Sequence, residues 1–104
     1  MFNIGVDLTR ISRFKDKKNS FLKRVLSEFE LKIYNNFQTS EEKTLFLARS
    51  WAIKEAIFKA DNKFYKFNQI NLQKKNNIWF FTNEFKISIS HEGDYLVAFV
   101  IKNN

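Results

Sequence analysis

An α+β fold, with an antiparallel sheet packed against one long helix and short N-terminal helices, is predicted by three features of this 104-residue sequence. Apolar residues alternate at the start, recur at helical spacing through the middle, and return to a period of two after Asp61-Asn62. The order strand, helices, strand meander indicates antiparallel pairing.

Each element has its own signal. Ile4, Val6 and Leu8 alternate within Phe2 to Leu8 and predict a first strand. Ser20 opens a short helical stretch carrying Phe21, Leu22, Val25 and Leu26. Ser27 with Glu30 has capping-box spacing before Leu31, Ile33 and Tyr34, and predicts a second short helix. Thr39 with Glu42 repeats that signature and starts the strongest helix, from about Ser40 to Ala60. Ala48, Ala52, Ala56 and Ala60 share one face of it, a small-residue stripe suited to close packing. Four further strands are expected at Ile70–Leu72, Ile78–Phe81, Phe85–Ile89 and Leu96–Ile101. The turns between the last three, and before them, are Lys75-Asn76-Asn77, Thr82-Asn83-Glu84 and Glu92-Gly93-Asp94.

Composition bounds the function. Hydrophobic residues make up 44% of the chain, with 13 Phe, 3 Tyr and 2 Trp, enough for a packed core. With 0 Cys there is no disulfide framework, thiolate nucleophile or cysteine-held metal, and 1 His excludes a multi-histidine site. No apolar run approaches the roughly 18 residues of a membrane helix, and Met1-Phe2-Asn3-Ile4 has no signal-peptide character. One cytoplasmic domain over 1–104, with no membrane partner, is expected. Lys and Arg total 18 against 11 Asp and Glu, a net +7 that attracts anions: nucleic acid, a phosphorylated small molecule or an acidic protein.

Several polar residues stand where chemistry can be placed. Gly5 lies inside the first strand, where glycine often marks a close backbone approach, and Asp7 ends that apolar strand as a lone carboxylate. Asp7 is either a metal ligand or a cap for a turn beginning near Thr9. Glu55 and Lys59 are four apart on the long helix, either an exposed ion pair or groups bordering the packed face, where Glu55 and Asp7 share a cation. His91 closes Ile87-Ser88-Ile89-Ser90-His91, as a polar turn residue or a donor to phosphate. Arg10, Arg13, Lys17 and Arg24 belong to a basic segment that is either a solvated face or a docking patch for an acidic partner.

Together these residues resemble the holo-acyl-carrier-protein synthase family, the short trimeric type of 4′-phosphopantetheinyl transferase. The resemblance is carried by Ile4-Gly5-Val6-Asp7, by Arg13, by Phe46-Leu47-Ala48 leading into Trp51-Ala52-Ile53-Lys54-Glu55-Ala56 and Lys59-Ala60, and by Ser88-Ile89-Ser90-His91. It implies a 4′-phosphopantetheinyl transferase-like fold and transfer of phosphopantetheine from coenzyme A to a serine of apo acyl carrier protein, releasing adenosine 3′,5′-bisphosphate, in support of fatty acid and lipid biosynthesis. It also implies Mg²⁺ held by Asp7 and Glu55, with Lys59 on the coenzyme A phosphates. By the same resemblance His91 and Lys54, a residue of the same motif, are expected to contact the coenzyme, and Arg13, Arg10, Lys17 and Arg24 to face the carrier. A homotrimer with active sites between subunits follows in the same way.

Two positions depart from the family. Where relatives commonly carry Arg before the long-helix aromatic, this chain has Ser50, with its arginine at Arg49, rotated by about 100° on a helix. A glycine-rich loop after Lys-Ala is replaced by Asp61-Asn62-Lys63, in which Asn62 is expected to supply a positive-φ turn. These departures leave a catalytically silent homologue as an alternative. A small nucleic-acid-binding module is a further alternative, prompted by Lys63-Phe64-Tyr65-Lys66-Phe67, although no nucleic-acid motif is present.

Overall fold

The structure, a computed structural model, describes residues 1–104. The first strand, β1, spans Phe2–Arg10 and runs into a 3-10 turn at Ile11–Phe14. Helices α1 (Asn19–Val25), α2 (Glu28–Asn36) and α3 (Ser40–Ala60) follow, then a second 3-10 turn at Phe67–Gln69. The chain ends in β2 (Gln73–Lys75), β3 (Ile78–Phe80), β4 (Phe85–Glu92) and β5 (Tyr95–Asn103). The main sheet has the order β1-β5-β4, all antiparallel, and β2-β3 form a separate hairpin. The α+β class and the antiparallel sheet are as the sequence predicts.

Both predicted capping boxes form. The Ser27 hydroxyl accepts from the Glu30 N–H while the Glu30 carboxylate accepts from the Ser27 N–H, and Thr39 and Glu42 do the same for α3. Each satisfies amide groups that a helix start otherwise leaves unpaired.

Helix α3 is the middle layer. One side packs on the sheet through Ala52, Ala56, Ile57 and Ala60 against Leu96, Ala98 and Val100 of β5. The other packs on α1 and α2 through Leu47 and Ala48, with Phe14, Leu22, Val25 and Tyr34. The alanine stripe allows β1 to approach α3 closely. A Cβ added to Gly5 would lie only 1.8 Å from the Ala56 carbonyl oxygen, so β1 can lie on α3 only with glycine there. The Asn3 amide donates to the Ala60 carbonyl at 3.1 Å and pins the strand to the end of the helix.

Because side chains alternate across a strand, Gly5, Asp7 and Thr9 face α3 while Ile4, Val6 and Leu8 face outward. The apolar set that marks β1 in the sequence is therefore exposed, at 63%, 50% and 65%. Phe99 of β5, paired with Val6, extends this patch.

Two sequence expectations are corrected. Ile70 and Leu72 are buried but belong to no strand; the ladder starts at Gln73. Their backbone is engaged elsewhere, the Leu72 N–H donating to Glu30 Oε2 at 2.7 Å and the Ile70 N–H to the Phe67 carbonyl. Asn62 does not take positive φ; the Asp61 carboxylate shapes that turn by accepting from the Lys63 N–H at 3.2 Å and from the Lys102 ammonium at 2.6 Å. Positive φ falls instead at Asp16, at Asn76 and Asn77, between β2 and β3, and at Gly93, between β4 and β5. Consecutive positive-φ residues suit a two-residue hairpin because they match the twist of the flanking strands.

Candidate active site at the crossing of β1 and α3

The close passage of β1 over α3 brings Asp7, Glu55 and Lys59 together. Lys59 Nζ donates to the Val6 carbonyl at 3.0 Å and to Asp7 Oδ1 at 3.3 Å. Lys59 therefore pairs across the strand–helix junction with Asp7, and none of the chain's ion pairs is a helical Glu55–Lys59 pair. Asp7 does not cap the following turn either. That role belongs to Asp94, whose carboxylate accepts from the Ser12 N–H at 2.9 Å and from the Ser12 hydroxyl at 2.5 Å.

The second oxygen of Asp7, Oδ2, is buried and has no hydrogen-bond partner. A carboxylate oxygen in that state needs a donor or a cation. Glu55 supplies a second negative group nearby. Its carboxyl is held above the ordinary range, first by burial and then by the charge of Asp7, with Lys59 and Arg13 pulling the other way. Two neighbouring carboxylates, one with an orphaned oxygen and the other half-buried beside that charge, form a donor set suited to a hard divalent cation. No third His, Asp or Glu joins them. That count fits Mg²⁺, which commonly takes one or two carboxylates and fills its remaining positions with water and phosphate oxygens.

Glu55 also lies on the wall of an open cavity of about 680 Å³ between α1, α3 and the 65–69 segment. Phe21, Trp51 and Phe58 give it apolar walls, and Arg24 and Lys66 give it cations. Its size lies within the range of small-molecule sites, roughly 300–1,000 Å³. Trp51 stacks on Phe21 at 5.9 Å between ring centres and meets Phe67 edge-on at 5.7 Å.

The basic residues divide between two faces. The Arg13 guanidinium lies over Phe14 and Trp51, 4.8 and 5.2 Å from the ring centres, on the Glu55 side. Lys17 and Arg24 both lie over Phe21. Arg10 sits on the outward face of the sheet, where it donates to the Tyr95 hydroxyl at 3.2 Å. Arg13, Lys17 and Arg24 thus surround one aromatic cluster beside the cavity, and Arg10 does not.

Lys54 requires a correction. As a coenzyme contact it would have to reach solvent, yet it is 0% exposed. Its ammonium donates to the Val25 carbonyl at 2.7 Å, to Glu30 Oε1 at 2.5 Å and to the Phe67 carbonyl at 2.9 Å. All three of its donors are used. Burial lowers its pKa and the Glu30 charge opposes that, so the ion pair is what keeps a charged lysine tenable in the core. Lys54 ties α1, α2 and the 67–69 turn to α3, a structural role for a motif residue.

His91 stands apart from Asp7 within the subunit. It is exposed on β4, two strands from β1, and the ladder aligns it with Leu96 and Thr9, one step beyond the row containing Asp7. Strand spacing puts the two backbones about 12 Å apart. Ser50 is 1% exposed with an unpartnered hydroxyl, while Arg49 turns towards α2 and the β2–β3 hairpin. The arginine therefore serves the face away from Glu55, as the helical rotation predicts. Of the lysine–aromatic run, Phe64 packs edge-on against Phe81 and Phe85, so that part of the run is core.

Comparison with known proteins decides the family: the model of the 4′-phosphopantetheinyl transferase superfamily matches residues 3–100. The chain belongs to the 4′-phosphopantetheinyl transferase superfamily. Within it, the chain is 54% identical over 99 residues to the holo-[acyl-carrier-protein] synthase of Mycoplasma mobile, covering 95% of this chain and 87% of that one. Identity to the synthase of Mycoplasmopsis pulmonis is 46% over 99 residues, covering 95% and 88%. A crystal structure of a holo-(acyl-carrier-protein) synthase from Bacillus anthracis, in complex with CoA (3′,5′-ADP), superposes with a TM-score of 0.81 at 28% identity, covering 98% and 96%. The transferase fold and the enzyme class implied by the sequence motifs are thus established.

Proposed function

We propose that the chain transfers 4′-phosphopantetheine from coenzyme A to a serine of apo acyl carrier protein, in a Mg²⁺-dependent reaction that supports fatty acid and lipid biosynthesis in the cytoplasm. Residues 1–104 act as one transferase domain. The serine hydroxyl gives up its proton, which passes to solvent, as its oxygen forms a bond to the β-phosphorus of coenzyme A, and the bond from that phosphorus to the bridging oxygen breaks. Adenosine 3′,5′-bisphosphate leaves with the electron pair. The observation that carries this reading is the meeting of Asp7, with its unpartnered Oδ2, Glu55 and Lys59 at the β1–α3 crossing.

Asp7 and Glu55 would hold the Mg²⁺, which when bound neutralises charge on the pyrophosphate. Lys59 fixes the Asp7 carboxylate and keeps its third ammonium hydrogen for a phosphate oxygen. The cavity beside Glu55 offers the coenzyme its aromatic and cationic walls. Arg13, Lys17 and Arg24 border that cavity and dock the acidic carrier, a contact that weakens as salt rises because the Debye length is only about 8 Å at physiological ionic strength.

His91 reaches a coenzyme only from a neighbouring subunit, since its own Asp7 lies about two strands away. The exposed face of Ile4, Val6, Leu8 and Phe99 supports a homotrimer in which such a neighbour exists. Arg10, on that same outward face, belongs with the subunit contact more naturally than with carrier docking.

Mass spectrometry of an apo carrier incubated with the protein, coenzyme A and Mg²⁺ tests the reading. Addition of one phosphopantetheine is expected, with loss of that addition on chelation of the metal. Absence of transfer to several carriers from the same organism overturns it.

A further inference from the structure

A second cavity, of about 590 Å³, opens between α2, α3 and the β2–β3 hairpin. It lies on the opposite side of α3 from Glu55: Phe46 on its wall is about 180° around the helix from Glu55, and Arg49 about 120°. Phe29, Phe37, Phe46 and Trp79 make the walls apolar, with Phe37 and Phe46 in ring contact at 5.5 Å. Arg49 is set into those walls, and Lys74 lies at the hairpin side, its ammonium 5.5 Å from the centre of the Trp79 ring.

Arg49 is electrically unanswered. It belongs to none of the chain's ion pairs, and its Nε is buried with no hydrogen-bond partner. Burial lowers its pKa with no acidic group to offset the effect. Lys54, the one cationic residue buried outright, has Glu30, whereas half-buried Arg49 has no acid beside it. A guanidinium held in an aromatic pocket without an anion presents a planar fork whose natural complement is a carboxylate. The pocket supplies apolar area for a tail, and only two cations are present, which matches a single negative charge rather than a polyphosphate.

We propose that this cavity is a binding site for an amphiphilic carboxylate, one carboxylate head on an apolar tail, with the head on Arg49 and the tail between Phe37, Phe46 and Trp79. The site is separate from the Asp7–Glu55 centre and does not rest on the transferase reading. Its occupation would couple to the hairpin, because Lys74 and Trp79 are the hairpin's contribution to it.

The test titrates the protein with decanoate below its micelle concentration, following the indole N–H resonances of Trp51 and Trp79 by NMR. Saturable one-to-one binding that shifts Trp79 and leaves Trp51 in place is expected. Arg49→Gln weakens it by about tenfold or more, the scale of a lost charge-assisted pair, and Arg49→Lys falls between the two. Decanol, with the same tail and no charge, binds wild type at least about tenfold more weakly, a comparison that needs no variant to fold. Absence of saturable binding, decanol binding equal to decanoate, or a shift confined to Trp51 overturns the proposal.

Discussion

Substituting Gly5 by Ala tests the crossing that assembles the site. A Cβ at this position would lie 1.8 Å from the Ala56 carbonyl oxygen, 2.8 Å from its carbon and 3.0 Å from the Ala60 nitrogen. An ordinary contact begins near 3.4 Å, so strand and helix must separate by about 1.6 Å or rotate apart. The obstacle is helix backbone, which cannot move aside as a side chain can. Overpacking of this kind costs about 1–3 kcal/mol where side chains absorb it, and the upper end or more is expected here. Against the roughly 5–15 kcal/mol that stabilises a domain of this size, the fold survives but weakens. Asp7 is two residues along the same strand and moves with it relative to Glu55, and a displacement of about 1 Å at a reacting centre can cost a hundredfold in rate. Urea denaturation and the carrier-transfer assay measure the two effects, with Gly93→Ala as the control. A Cβ there meets nothing within 4 Å, and the positive φ alone limits the loss to about 1–2 kcal/mol with transfer intact. Wild-type stability and transfer in Gly5→Ala would refute the close-crossing account.

Three more outcomes follow from the same structure. Lys54→Met leaves Glu30 charged and buried, so it destabilises by about 3–5 kcal/mol, and adding Glu30→Gln recovers part of that; coenzyme affinity of the folded protein, read by calorimetry, does not change. Because the folded-state pKa of Glu55 is raised, the metal-free fold binds its proton more tightly than the unfolded chain does, and stability falls as pH rises through that interval. Glu55→Gln therefore lacks this loss and is at least as stable as wild type at pH 8 by thermal melting, while transfer disappears; a less stable Glu55→Gln would contradict it. Val6→Glu places a charge in the outward apolar face, and light scattering is expected to find trimers for wild type and monomers for this variant.

The legible part of the molecule was what local chemistry dictates. Ser27-x-x-Glu30 and Thr39-x-x-Glu42 announce helix starts because the reciprocal hydrogen bonds need only four consecutive residues. The alanine stripe and Gly5 announce close packing because no larger residue permits it. What resisted reading depends on partners distant in sequence. Ile70 and Leu72 alternate like a strand, but the Leu72 N–H is taken by Glu30, 42 residues earlier, and no ladder forms. Lys54 reads as a coenzyme-contacting motif lysine until α1, α2 and the 67–69 turn close around it. Its signal was its place between Ile53 and Ala56 on the buried side of α3, with Glu30 the buried acid of the helix that packs there. Ile4, Val6 and Leu8 mark a strand correctly but not its orientation, since alternation alone cannot say which face meets the core.

Anomalous diffraction from a crystal grown with coenzyme A and Mn²⁺ in place of Mg²⁺ bears most directly on the site. One peak within coordination distance of Asp7 Oδ2 and a Glu55 carboxylate oxygen is the expected result. An ordered coenzyme with the ion bound to only one of these residues, or to neither, would contradict the account.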